Sequence, residues 1–170
     1  MMSEATSAEI ATLLGELSSA DAERRAAAAE QLARAGEAAA TGAAQIVGAC
    51  GDGDERVREW AVAALEDLGA PPSESIAPLI KLVAASDPLV AYWATTLLGR
   101  SGQDAAHAVA ALTVCLDSAA DLSVRQRAAW ALGKIGPAAK TARPALERAA
   151  GQGDERLARL ATEALGAIAS

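Results

Sequence analysis

Apolar residues along the chain fall into alternating short and long stripes, and an aspartate stands before each long one. In residues 54–69, DERVREWAVAALEDLG, the apolar positions Val57, Trp60, Ala61, Ala64, Leu65 and Leu68 follow i, i+3, i+4, i+7, i+8, i+11. Residues three and four apart share one side of an α-helix, so this stripe predicts an amphipathic helix. The same sixteen-residue phrase starts at Asp21, Asp54, Asp87, Asp121 and Asp154, at intervals of 33, 33, 34 and 33 residues. Shorter stripes precede it: Leu13, Leu14 and Leu17, then Ile46, Val47 and Cys50, then Leu79, Ile80 and Val83. Leu112 and Leu116 keep that register ahead of Asp121, which puts the one inserted residue in the turn SAAD and leaves both helical faces intact. Each repeat therefore predicts a helical hairpin: helix A, a short turn, helix B and a Gly- or Pro-containing link.

The ends of the helices carry their own signals. The five aspartates stand at N-cap positions, and Gly69, Gly102 and Gly136 stand where a helix-terminating residue is expected. Pro88 occupies the first position of its helix, where a missing N–H costs nothing. Thr6 and Glu9 have the spacing of a capping box ahead of Ile10. Repeats of this size stack on copies of themselves, and each unit touches only its neighbours. The expectation is an all-α, right-handed α-α superhelix of five helix pairs. It forms a single domain over 1–170, with repeats at about 7–36, 37–69, 70–102, 103–136 and 137–170.

Composition narrows the partners. The hydrophobic content of 52% is rich in alanine and includes no phenylalanine, which suits closely packed helices. A net charge of −7 opposes a nucleic-acid partner, which needs a cationic excess, and opposes an anionic membrane surface. Cys50 and Cys115 lie on apolar stretches two repeats apart, beyond disulfide reach, and are expected to be buried thiols. No Cys/His spacing suits zinc, no basic and apolar leader opens the chain, and no eighteen apolar residues run together. The expected setting is the cytoplasm, without a cofactor or a metal.

An Asp, then Val-Arg, then a small-residue stripe ending in A-L-G-x-I-G resembles HEAT repeats. DERVREWAVAALEDLG and DLSVRQRAAWALGKIG carry the pattern best, and the resemblance runs over about residues 7–169. The short bacterial form, as in phycobilisome-lyase-type HEAT-like proteins, is similar. TPR and ankyrin arrays have a similar period, but their signatures are absent. The resemblance implies that the turn aspartates Asp21, Asp54, Asp87, Asp121 and Asp154 pair with helix-B arginines in a ladder between repeats. Arg25, Arg58 and Arg125 are present, whereas Ala91 and Ala158 interrupt the ladder at the third and fifth repeats. At the first repeat, Arg24 and Gln31 replace apolar stripe residues, as a solvent-facing end requires. The last helix keeps Leu157, Leu160, Leu165 and Ile168 without an added cap, which leaves self-association through it open.

The resemblance also implies that the B helices line a concave face. The side of each B helix away from its stripe takes phrase positions three, six, ten and thirteen. Arg56 and Glu59 stand there in the second repeat, Tyr92 in the third, Gln126 and Trp130 in the fourth, and Arg156 and Arg159 in the fifth. All four aromatics of the chain lie in three consecutive B helices, and aromatics are common binding anchors. Tyr92 and Trp130 are the expected anchors of a protein or peptide partner, supported by Trp93 and Trp60, with Arg56, Glu59, Gln126 and Arg159 as a polar rim. Trp60 and Trp93 share a stripe-edge position, so core filling is the competing reading for that pair. Gly99 and Gly133 would deepen a groove on the same side.

Catalysis finds no support. His107 is the one histidine, on a solvated side and without a nucleophile motif, and it is followed by Ala108 rather than the glutamate of HEAT-like metalloenzymes. The acidic GDGDE run lacks the spacing of a calcium loop. The sequence reads as a non-enzymatic interaction scaffold. A bilin-lyase-like chromophore chaperone and a structural module of a larger protein stand as alternatives.

Overall fold

A computed structural model describes residues 7–170, so Thr6 of the expected capping box lies outside the described residues. Those residues form ten α-helices and four short 3-10 segments, with no strand among them. Their helix-pair repeats give the all-α fold of a HEAT-like solenoid. None of these helices is long and apolar enough to cross a membrane. The chain divides into two compact units, 1–75 and 76–170.

In the first unit, α1 (Ser7–Glu16) pairs with α2 (Ala22–Ala35), and α3 (Ala43–Ala49) with α4 (Glu55–Asp67). The two B helices, α2 and α4, pack along one another. Leu32, Ile46, Val47, Val57 and Leu65 form the core, each at most 1% exposed. Helix α1 contributes less than its stripe predicts: Ile10 is buried, but Leu13, Leu14 and Leu17 are only half-buried. Among the described residues this helix packs chiefly against α2 and the 3-10 segment Gly36–Gly42. Leu14 nevertheless sits so close over Gly42 that a Cβ there would lie 2.2 Å from its Cδ2.

The second unit contains α5 (Ile76–Leu82), α6 (Pro88–Arg100), α7 (Val109–Ser118), α8 (Leu122–Ile135), α9 (Arg143–Ala150) and α10 (Glu155–Ala169). Its B helices α6, α8 and α10 pack side by side, with α5, α7 and α9 behind them. Helix α6 is buried from Val90 to Gly99 except at Tyr92.

All five turn aspartates hold the first turn of a B helix by accepting backbone N–H groups: Asp21 from Glu23, Asp54 from Arg56, Asp87 from Leu89 and Val90, Asp121 from Ser123 and Val124, and Asp154 from Leu157. Each such bond satisfies a donor that the helix itself cannot. At the far ends, Gly36, Gly102 and Gly136 take φ of 55°, 55° and 71°, a region open to glycine. A 3-10 segment begins at each of them, so the link and the start of helix A form one tight coil. Gly69 departs from this expectation. Helix α4 stops at Asp67, Leu68 is extended (ψ 122°), and Gly69 lacks a positive φ. Pro71 and Pro72 follow closely, and proline disfavours helical backbone just ahead of it.

The arginine rungs are also built differently from the expected pairing. Arg25 grips Asp52, two residues ahead of the capping Asp54, through two bonds of 2.8 and 2.9 Å, and also donates to the Ser19 and Ala20 carbonyls. Asp54 is already engaged by the backbone and side chain of Arg56. Arg58 donates to the carbonyls of Asp52 and Gly53 in its own turn. Arg125 reaches the Leu116 carbonyl and the Gln152 side chain, the position equivalent to Asp52. Cys50 and Cys115 are both buried thiols, and burial pushes the Cys115 thiol up.

Candidate functional site

The exposed side of α6, α8 and α10 holds a stack that none of these helices forms alone. Arg127 lies between two rings, its Cζ 4.7 Å from the Tyr92 centroid and 4.9 Å from that of Trp130. The guanidinium also donates to the Tyr92 hydroxyl. Lys134, one turn further along α8, brings its Nζ to 5.8 Å from the Trp130 ring. A cation over an aromatic face is favourable by about 0.5–2 kcal/mol, more where water is excluded, so this arrangement pre-orders three long side chains. Tyr92 and Trp130 are both half-buried, leaving part of each ring open to a partner.

Trp130 owes its position to Gly99. A Cβ on Gly99 would lie 2.3 Å from the indole Cζ3, 2.8 Å from Cε3 and 3.1 Å from the Ala131 Cα. The glycine on α6 is therefore a seat filled by the indole, and the expected deepening of an open groove does not occur there. Gly133 plays a related part toward α10, where a Cβ would come within 3.1 Å of the Ala164 Cα. Thr96, expected on the exposed side, is buried and returns its hydroxyl to the Tyr92 carbonyl at 2.8 Å.

Between the stack and α10 runs a groove of about 190 Å³, bordered by Tyr92, Gln126, Arg127, Trp130, Arg156 and Arg159. Leu160 and Ser123 complete its wall. Gln126 Nε2 donates to Asp154 Oδ1 at 2.9 Å, and Arg159 pairs with Glu163 at 2.8 Å, so the carboxylates near the groove are engaged. Acceptance of the Leu157 N–H, followed by the bond from Gln126, holds the Asp154 carboxyl below the usual carboxylate range. Burial and then the like charge of Arg127 pull the Arg100 guanidinium below its ordinary value.

Of the remaining site residues, Trp93 lies behind the stack and three belong to the first unit. Trp93 is 7% exposed, edge-on to Tyr92 with centroids 5.7 Å apart and Arg100 over its ring, so it supports the stack from within. Trp60, Arg56 and Glu59 belong to α4 in the first unit. Trp60 is 36% exposed there, and Arg56 is tied to Glu23 and Asp54. Sequence reasoning missed Arg127, which stands at the stripe-edge position that Trp60 and Trp93 occupy in earlier repeats. His107 is exposed, and no three His, Cys, Asp or Glu side chains among the described residues gather as a metal site.

A second groove, of about 760 Å³, lies between the turns of the third and fourth repeats, where Ala91 replaces the rung arginine. Val83, Pro88, Ala91, Val114, Cys115 and Val124 supply its apolar walls.

The sequence matches the profile of HEAT repeats over residues 10–85 and 76–166. The chain belongs to the HEAT-repeat family. No curated protein matches it. Among solved structures, an engineered protein superposes over 95% of this chain and 80% of its own, with 24% identity and a TM-score of 0.67. A designed armadillo repeat protein in complex with the peptide (KR)4 matches over 95% of this chain and 82% of its own, at 21% identity and a TM-score of 0.67. The complex of CpcE and CpcF of phycocyanin lyase from Nostoc sp. PCC7120 matches over 94% of this chain and 64% of that one, at 22% identity and a TM-score of 0.62. At these identities the likeness establishes the fold of this HEAT-repeat chain.

Proposed function

We propose that this HEAT-repeat chain is a non-enzymatic interaction scaffold that holds a protein or peptide against the exposed side of α6, α8 and α10. One observation carries the reading: Tyr92, Arg127 and Trp130 are stacked in place, half-open, beside a groove. Aromatic and arginine side chains ordered before binding make effective anchors, because little side-chain entropy remains to be lost. The family adds support, and the designed armadillo relative in complex with a peptide is a protein of similar fold.

A peptide array should yield binders whose NMR shift changes map to α6, α8 and α10. Tyr92→Ala and Trp130→Ala should each weaken such a binder by about 2 kcal/mol or more while circular dichroism stays helical. Binding equal to the parent in both variants would place the site elsewhere. A bilin that changed its visible absorbance on mixing would instead favour the chromophore-chaperone alternative.

A further inference from the structure

The charge of this face runs against that of the chain. Helices α6, α8 and α10 carry six cations, Arg100, Arg125, Arg127, Lys134, Arg156 and Arg159, of which Arg125 is turned to the rung, against Glu155, Glu163 and the cap residues Asp87, Asp121 and Asp154, in a chain of net charge −7. Neither α6 nor α8 contains an acidic residue. Three of the cations, Arg127, Arg156 and Arg159, border the groove beside Trp130, and no carboxylate lines it. Of the nearby acids, Glu163 is taken up by Arg159 and Asp154 by the α10 cap and Gln126. The stack leaves Arg127 with an aromatic sandwich and a phenol hydroxyl, both neutral, so its charge is uncompensated at the groove wall. Burial first, and then the like charge of Arg127, holds the Arg100 guanidinium below its ordinary value.

We infer that the partner is an acidic segment of protein, with glutamate or aspartate side chains over Arg127, Arg156 and Arg159 and an apolar side chain against Trp130 and Leu160. This rests on the docking reading above and adds the chemistry of the occupant. Guanidinium groups suit carboxylates because their paired N–H donors match two oxygens at once. The acidic remainder of the chain repels other anions in general, so attraction is concentrated on this one face, and a short acidic segment can use it where a long polyanion cannot. Carboxylate contacts on exposed arginines weaken as salt screens them.

The test titrates the full chain with three blocked decapeptides, each bearing one central leucine among glutamates, lysines or glutamines. Shift changes on α6, α8 and α10 and Trp emission are followed at low and at physiological salt. The glutamate peptide should bind at least tenfold more tightly than the glutamine peptide and weaken with salt. Arg156→Gln with Arg159→Gln, two exposed positions whose loss leaves the melting curve in place, should remove at least tenfold of that affinity. Arg156→Glu with Arg159→Glu should shift preference to the lysine peptide. If the lysine or glutamine peptide binds best to the parent on this face, the acidic partner is overturned while the docking reading stands. If an oligo-dT of ten nucleotides binds the face more tightly than the glutamate peptide, a protein partner is overturned. If no peptide of any charge, including array binders, perturbs these helices, both readings fall together.

Discussion

Gly99→Ala is the sharpest test of how the site is built, because two effects of opposite sign meet at one atom. Alanine is the better helix former, and in an unobstructed helix interior the change stabilises by up to about 1 kcal/mol. At Gly99 the new methyl would lie 2.3 Å from the Trp130 Cζ3 and 3.1 Å from the Ala131 Cα. Carbon atoms pack best at about 3.5–4.0 Å, so the indole must retreat by more than about 1 Å or α6 and α8 must part. Overpacking of this kind costs about 1–3 kcal/mol. The clash outweighs the propensity gain, and the expected net loss is roughly 1–2 kcal/mol. Urea unfolding followed by circular dichroism measures the loss, and Trp emission reports the displaced ring. Gly166→Ala on α10 is the control, since nothing lies within 4 Å of a Cβ there, and it should stabilise. Adding Trp130→Ala to Gly99→Ala should remove the clash with the indole and leave only the closer approach to the Ala131 Cα, giving a non-additive pair. A Gly99→Ala protein as stable as the parent, with unchanged emission, would refute the seating of Trp130.

Leu65→Ala should cost about 2–5 kcal/mol in chemical denaturation, as a fully buried side chain is cut back. Asp54→Ala, which removes one helix cap, should cost less, and the reverse order would contradict the turn assignment. Stability should fall in acid, with Asp52 contributing: its bonds from Arg25 hold its carboxyl below the usual range. That contribution is present above the ordinary carboxylate pKa of about 4 and is lost as pH falls through the depressed value. Thermal melts of Asp52→Asn should therefore lie below the parent at neutral pH, and the gap should close toward strongly acid pH.

The helices were legible because three independent signals coincide in each repeat: the stripe, the aspartate ahead of it and the constant period. Where a later residue alters the backbone, the pattern misleads, as at Gly69, whose role as a helix terminator gives way to the extended backbone that Pro71 and Pro72 favour. The rung was misplaced for a related reason. The recurring aspartate marks the cap, whereas the acceptor two residues earlier is Asp52 in one turn and Gln152 in another, so no fixed letter announces it. Of the candidate site, Tyr92 and Trp130 could be read from their place off the stripe. Arg127 could not be read from periodicity alone, because its phrase position is apolar in the repeats on either side, as Trp93 and Leu160. An arginine at a stripe-edge position was the one available signal. The partnership of Gly99 with Trp130 joins two helices, and one-dimensional spacing contains no term for it.

The absent rung at Ala91 has a mechanical side. Between the fourth and fifth repeats, Arg125 bolts the B helix to the next turn through Gln152, whereas between the third and fourth the turn edge has no such bolt and opens into the large groove. Hydrogen-bonded side chains resist a small displacement stiffly, while apolar packing alone yields more gradually. The two edges of the α6–α8 joint should then differ: the turn edge is free to open at the groove, while on the exposed side the Arg127 bond to Tyr92 and the seating of Trp130 on Gly99 hold the helices together. Tyr92 stands on one side of that joint, and Arg127 and Trp130 on the other. Flexing at the turn edge should therefore pivot about the stack, leaving the spacing of the anchors unchanged while the apolar groove widens or narrows.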